Sequence, residues 1–344
     1  MKKKKLLLLT MFYFDLEQAV VDAFLKIGWE VKLIENKGYL NDPLHIHTKK
    51  WQALFCNKSK HIKENILPHT NEYYDFFLSI NLFSFDPIII KTLKIYNPKI
   101  KSVLYLWDNV KDFKWHQFFP YFTSVCSFDL QESKKYKIKY LPNFYLHQPV
   151  ETSILYDFSC VASCQINRIN LLDQFIDLLK EKKIDYFFYL FYDKNSHSFF
   201  SRIKYNFIGY TFANYFPNKY LGYKKIYELN NFYKSEIVKY AKLESNAAIK
   251  IMRQSKCIVD IAYYEQTGCT HRLIQALALQ KKIITNNISV RHEPFYDPDY
   301  IYILDKKEIK LDLDWLDIKP KNKIDINYLS IDNWIKTILE CETF

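Results

Sequence analysis

The sequence predicts an α/β protein built as two facing Rossmann-like domains with parallel sheets and a C-terminal closing helix. Three observations lead there. The chain has 344 residues, too many for one ordinary core and suited to two of about 150–170 residues each. Short continuous apolar runs recur, many of them followed by a segment of helical spacing. That is the pattern of strands buried on both faces and joined by crossover helices. The alternation breaks around Gln148–Asp157 and then restarts, which divides the chain into halves of similar size. The expected units are 1–150, 151–325 and a terminal helix within 326–344.

The first half opens with Lys5–Thr10, a continuous apolar run and so a buried strand. Leu16, Val20, Phe24 and Ile27 have helical spacing, and Gly28 stops the helix. Val31–Ile34 is a second strand, completing a βαβ unit. Residues 40–70 are less regular and hold His45, His47 and His61, which reads as a loop-rich insertion. Tyr74–Ile80 is a strand, and Pro87–Tyr96 is a helix begun by Asp86-Pro87. Strands follow at Ser102–Trp107, Ser124–Phe128 and Lys139–Leu141. In the second half, Phe158–Ala162 is a strand and Asn170–Glu181 an amphipathic helix, with Leu171, Leu172, Phe175 and Leu179 inward. Tyr186–Phe191 is a strand, and residues 195–235 carry no assignable pattern. Ala247–Gln254 (helix), Cys257–Ile261 (strand), Thr270–Leu279 (helix), Lys282–Thr285 (strand) and Asp332–Leu339 (helix) close the series.

Composition narrows the class. Apolar residues make up 49% and charged residues 25%, which excludes disorder over most of the length. The net charge of +11 suits phosphates, nucleic acid or anionic lipid. The lysines are dispersed apart from Lys2–Lys5, and no nucleic-acid-binding motif accompanies them, so nucleic acid is not the expected partner. The seven cysteines are odd in number and scattered, unlike a secreted disulfide framework. Cys160 and Cys164 lack the second pair a zinc site needs. The apolar stretch at Leu6–Leu9 meets Asp15 and Glu17 too soon for a signal peptide. No window offers about 18 uninterrupted apolar residues, so no transmembrane helix is expected. The expected location is cytoplasmic.

Ligands of open parallel sheets bind beyond the carboxyl ends of the strands, which selects the loops after Thr10, Trp107, Ala162 and Ile261. The last is the most informative. It runs from Ala262 to Arg272 directly into a helix, with Gly268 just before the helix start and Thr267 and Thr270 as candidate N-caps. Free N–H groups and the helix dipole favour an anion there. Arg272 adds a bidentate charge suited to phosphate. Gln275, three residues on, shares a face with Arg272, so both are expected in the cleft while Leu273, Ile274 and Leu277 face the sheet. An ordinary capped helix with a surface arginine accounts for the same spacing.

The run Gln266-Thr-Gly-Cys-Thr-His-Arg-Leu-Ile-Gln-Ala-Leu, followed by Lys281-Lys-Ile-Ile-Thr-Asn-Asn, resembles a pattern of bacterial lipopolysaccharide and capsule biosynthesis glycosyltransferases of the GT-B type. Leu104-Tyr-Leu-Trp-Asp-Asn, Ser127-Phe-Asp129, Leu141-Pro-Asn-Phe-Tyr145 and the restart from Asp157 to Arg168 are similar to the same group. The match is ordered over roughly residues 102–305. The resemblance implies a nucleotide-sugar donor in the C-terminal half. Gln266 and His271 would line its pocket, Gly268, Thr270 and Arg272 would contact the diphosphate, and Arg168 would add charge from the facing loop. Many GT-B enzymes hold the ribose with a glutamate where this chain has Gln275, which keeps an acceptor oxygen without the charge. The group usually works without a bound metal. No metal or other cofactor is therefore expected.

The implied reaction displaces a nucleoside phosphate by an acceptor hydroxyl of a glycan or lipid-linked glycan, with positive groups stabilising the leaving charge. An inverting enzyme needs a base. Asp108 is the first candidate, from its place at a strand's carboxyl end; Asp15 is second and His116 third. The loop Met11–Asp15 contains no glycine to cradle a phosphate. His45 and His47 fit surface-loop histidines, and the Tyr- and Lys-rich stretch 205–240 fits a packed aromatic surface. Two readings compete. One is an enzyme extending lipooligosaccharide or capsule, with peripheral contact at the inner membrane. The other is a two-domain Rossmann protein that binds a nucleotide or glycan without turnover.

Overall fold

The computed structural model describes residues 3–12, 15–36, 58–110, 114–192, 236–263, 266–304 and 313–341. They form two six-stranded sheets in which every pairing is parallel. The first sheet holds β1 (Lys5–Thr10), β2 (Glu30–Glu35), β3 (Phe76–Ile80), β4 (Lys101–Leu106), β5 (Ser124–Ser127) and β6 (Lys139–Tyr140), in the order β2-β1-β3-β4-β5-β6. The second holds β7 (Tyr156–Ser163), β8 (Tyr186–Phe191), β9 (Val238–Lys239), β10 (Ser255–Asp260), β11 (Lys282–Thr285) and β12 (Ile301–Ile303), in the order β12-β11-β10-β7-β8-β9. The helices are α1 (Leu16–Lys26), α2 (Pro87–Tyr96), α3 (Leu130–Tyr136), α4 (Ile166–Glu181), α5 (Ser245–Arg253), α6 (His271–Ala278), α7 (Leu313–Asp317) and α8 (Ile331–Leu339).

The apolar runs behave as strands buried on both faces must. In β1, Leu7 and Leu9 enter one core cluster while Leu6 and Leu8 enter the cluster on the opposite face. In β10, Cys257 and Val259 face one cluster and Ile258 the other. This two-sided burial is why these segments are continuous rather than alternating.

Several elements depart from the sequence expectation. Helix α3 was not expected, because Leu130-Gln-Glu-Ser-Lys-Lys-Tyr offers little apolar periodicity. It is started instead by Asp129, whose Oδ1 accepts from Gln131 N at 2.8 Å and Glu132 N at 3.1 Å. Helix α4 begins at Ile166, four residues before the expected Asn170. The described part of the expected insertion is helical: a turn at Lys58–His61, a π turn at Ile62–Ile66 and a 3-10 turn at Leu67–Thr70. The remainder of the insertion, with His45 and His47, lies outside the described residues, as does the aromatic stretch up to residue 235.

The C-terminal helix follows the second sheet in sequence but packs on the first. Trp334 is fully buried there, 4.8 Å from the Tyr105 ring and 4.9 Å from Phe144. Lys26 of α1 pairs with Asp332 at 2.5 Å. The chain between the sheets is fastened to this return crossing: Tyr145 N donates to Leu329 O at 3.0 Å and Ile331 N to Tyr145 O at 3.2 Å. Residues 329–331 therefore cross back beside the segment that crossed forward.

Candidate active site

The carboxyl ends of the two sheets face each other, and direct contacts show it. Phe128 and Asp129 directly follow β5; Thr267 and Gly268 belong to the loop that follows β10. The Thr267 hydroxyl donates to Asp129 Oδ2. A Cβ on Gly268 would stand 2.5 Å from Phe128 Cε2, so only glycine lets the loop lie against that ring. Trp107, after β4, meets His271 at the start of α6 with ring centroids 5.6 Å apart. Gln131 Nε2 donates to Ser289 Oγ at 2.9 Å, and the Tyr140 hydroxyl donates to Glu293 Oε2.

Thr270 is the N-cap of α6, its Oγ1 accepting from Leu273 N at 3.0 Å. The same hydroxyl donates to Asp260 Oδ1 at 2.8 Å. Arg272, expected in the cleft at a phosphate, is engaged within its own domain. Its Nη2 pairs with Asp260 Oδ1 at 2.6 Å, and its Nη1 donates to Val161 O at 3.0 Å. The cause is Asp260, a carboxylate at the end of a strand with only 1% of its side chain exposed, which needs a cation where it lies. Asp260 is the residue the sequence reading missed. Its signal was a carboxylate interrupting the apolar run Cys257–Ile261.

Arg168 also departs from the expected phosphate contact. It is buried, with Nε donating to Ile261 O at 2.9 Å and Nη1 to Ser163 O at 2.5 Å. It ties the ends of β7 and β10 together. Gln275 does not share the cleft face with Arg272. Its Oε1 accepts from Leu146 N at 2.9 Å and His147 N at 3.1 Å, and its Nε2 donates to His147 O at 2.7 Å. The amide clamps the connecting segment onto α6. A glutamate could not make the third bond, which accounts for glutamine at this position.

His271 lies between the Trp107 ring and the Phe144 ring, the latter at 4.8 Å. Its Nδ1 is 3.2 Å from Phe144 O. Facing a carbonyl, Nδ1 carries the proton and Nε2 presents its lone pair. Nε2 is buried and has no hydrogen-bond partner among the described residues. Burial draws the imidazole down to about 4, against the opposing hydrogen bond to Phe144, so the ring is neutral near pH 7. Gln266 Nε2 donates to Gly268 O at 3.0 Å and steadies the loop.

Among the base candidates, Asp108 stands at the carboxyl end of β4, partly exposed, with Asn81 Nδ2 donating to its Oδ2 at 2.6 Å. Asp15 is exposed at the start of α1, in the left-handed region at φ 62°, and its Oδ2 accepts from Ser245 Oγ of α5 at 2.6 Å. His116 is not brought to the others. It is exposed and stacks on Tyr136 at 5.7 Å, at the C-terminal end of α3, whereas the N-terminal end of that helix meets the second domain. The structure thus brings together Trp107, His271 and the 266–270 loop, with Asp108 next to Trp107 in the chain.

No protein-family model matches the sequence, and a search of characterised proteins finds no sequence match. Solved structures do match in three dimensions. A structure described as OtsA in its apo form aligns with a TM-score of 0.55 and 8% identity, over 99% of this chain and 100% of that one. An alpha,alpha-trehalose-phosphate synthase (UDP-forming) from Burkholderia vietnamiensis aligns with a TM-score of 0.51 and 8% identity, over 85% and 87%. The apo lipopolysaccharide outer core galactosyltransferase WaaB aligns at 0.48 and 9%, over 97% and 98%. With two parallel six-stranded sheets joined at their carboxyl ends, the chain has the GT-B-like α/β architecture.

Proposed function

We propose that this protein is a glycosyltransferase that moves a sugar from a nucleotide-sugar to a hydroxyl of a glycan, without a bound metal. The observation that carries the reading is the opposition of the two carboxyl edges, Phe128–Asp129 against Thr267–Gly268 and Trp107 against His271. Ligands of parallel sheets bind at those edges. The donor diphosphate belongs at the start of α6, where helix N–H groups and the dipole favour an anion. With Arg272 already paired to Asp260, the backbone at Thr270–Arg272 supplies most of the attraction and the guanidinium a fixed, partly neutralised dipole. Asp108 is the proposed base toward the acceptor hydroxyl. The acceptor class is a lipooligosaccharide or capsular glycan, which the resemblance suggests and the basic net charge of +11 suits at an anionic membrane surface. No helix among the described residues is long and apolar enough to cross a membrane, so contact with it would be peripheral.

A second reading, binding without turnover, is favoured by the engagement of Arg168, Arg272 and Gln275 within the protein. A thermal-shift panel of UDP-, GDP-, ADP- and CMP-sugars followed by donor hydrolysis separates the two. Stabilisation by one nucleotide, with hydrolysis that Asp108→Asn abolishes, is the expected result. Stabilisation without turnover selects the second reading, and no stabilisation by any nucleotide removes both.

A further inference from the structure

Cys126 and Cys341 come from opposite ends of the chain, and their sulfurs lie 3.3 Å apart. Cys126 is in β5, in the first domain's core; Cys341 lies two residues past the end of α8, after the C-cap Glu340. Both are fully buried, in the same cluster as Trp334, Ile338 and Phe144. Both are thiols, and bringing their sulfurs to bonding distance requires a movement of only about 1 Å.

The remaining described cysteines are of another kind. Burial pushes Cys160, Cys164, Cys257 and Cys269 up and keeps them as unreactive thiols. Cys341 is drawn down, first by the hydrogen bond from Cys126 and further by the Lys139 ammonium on β6, against its burial. Cys126, the donor of the pair, is held up by the same bond and by burial. Of the two sulfurs in contact, Cys341 is thus the more readily ionised and Cys126 the one placed to resolve. Both sulfurs are fully buried, so a small oxidant would reach them through local opening at the end of the helix. Helix ends open most readily.

We propose that Cys126 and Cys341 form an oxidisable dithiol that a peroxide converts to a disulfide, fastening the C-terminal helix to the first sheet. The Cys341 thiolate attacks one peroxide oxygen, the O–O bond breaks, and the other oxygen leaves as water after taking a proton. The resulting sulfenic acid is attacked by the Cys126 sulfur, the S–O bond breaks, and the Cys126 proton leaves with the second water. Two thiols and one hydrogen peroxide thus yield one disulfide and two waters, and a dithiol reductant reverses the change. The bond would enclose the entire second domain in a covalent loop, since α8 returns to the first domain after β12. Any rearrangement that needs α8 to leave Tyr105 and Phe144 would be blocked while it persisted.

The experiment treats the reduced full-length protein with hydrogen peroxide, then alkylates it with iodoacetamide in denaturant and measures intact and tryptic masses. The expected result is loss of two alkylatable thiols and a linked pair of peptides carrying Cys126 and Cys341, both reversed by dithiothreitol. The oxidised protein should unfold about 5–10 °C higher, and peroxide should leave the unfolding temperature of Cys341→Ser unchanged. In Cys126→Ser, Cys341 should stop at a sulfenic acid that dimedone captures. Retention of all thiols, linkage through other cysteines, or sulfinic acid at Cys341 beside an intact Cys126 thiol in the wild type would each overturn the proposal.

Discussion

Replacing Glu293 with glutamine should stabilise the protein above neutral pH and leave it unchanged in acid. Glu293 is 5% exposed and accepts the Tyr140 hydroxyl across the domain junction. Burial raises its carboxyl to about 7 from 4.5; the Tyr140 hydrogen bond opposes this, Asp129 adds repulsion and Lys134 offsets part of it. The folded protein therefore holds this proton more tightly than the unfolded chain. The resulting stability is fully present below about pH 4.5 and is lost as pH rises through about 7. That interval is worth roughly 3 kcal/mol, at about 1.4 kcal/mol per tenfold change in proton affinity. Glutamine keeps an oxygen for Tyr140 and removes the charge. Urea unfolding of both proteins at pH 4.5, 6, 7 and 8 should show coincidence in acid and an advantage of roughly 2–3 kcal/mol for Glu293→Gln at pH 8. A constant difference between the two proteins across that range would refute the reasoning, because it would place no titrating group at position 293.

Four further substitutions test the junction and the site. Gly268→Ala should cost about 1–3 kcal/mol by overpacking against Phe128, read as a lower urea midpoint and partly recovered by adding Phe128→Leu. Gln275→Glu should cost about 1–3 kcal/mol at neutral pH, since the His147 carbonyl loses its donor and meets a carboxylate; the same unfolding assay measures it. Arg272→Ala should destabilise by about 3–5 kcal/mol by leaving Asp260 buried and unpaired, whereas Arg272→Met combined with Asp260→Asn should recover most of the loss. Asn81→Gly tests the support of Asp108. Asn81 sits at φ 61°, a conformation glycine adopts without strain, so the change deletes only the amide and its bonds to Asp108 and to Trp107 N; donor hydrolysis should lose about tenfold in kcat with KM for the donor unchanged.

The central strands and their parallel arrangement could be read from the sequence because their apolar runs are buried on both faces, as Leu6–Leu9 demonstrates. Elements that rest on capping could not, nor could every short edge strand. Helix α3 depends on Asp129, and β12 is three residues long at a sheet edge. The candidate site was legible as a place and less so as an arrangement. Position in a strand-end loop follows from the alternation of elements, so Asp108 and the 266–272 run could be found. The partner of each side chain depends on what the other domain brings, and sequence spacing holds no record of that. Nothing local predicts that Phe128, 140 positions earlier, rests on Gly268, or that the segment 146–147 lies under Gln275.

The segment from Gln266 to Gln275 therefore has two duties along one stretch of chain. Thr267, Gly268, His271 and Gln275 point to the first domain or to the connecting segment, while Thr270 and Arg272 turn inward to Asp260. A ligand at the start of α6 would touch a helix whose cap, first residue and second turn are each fixed to something else. Drawing the Thr270–Arg272 backbone toward a diphosphate would strain the Asp260 pair on one side and the Phe144 and His147 contacts on the other. Binding at this helix and the relative position of the two domains are then one equilibrium. Glutamine at 275 has a structural reason in that arrangement: it is the residue through which α6 holds the connecting segment.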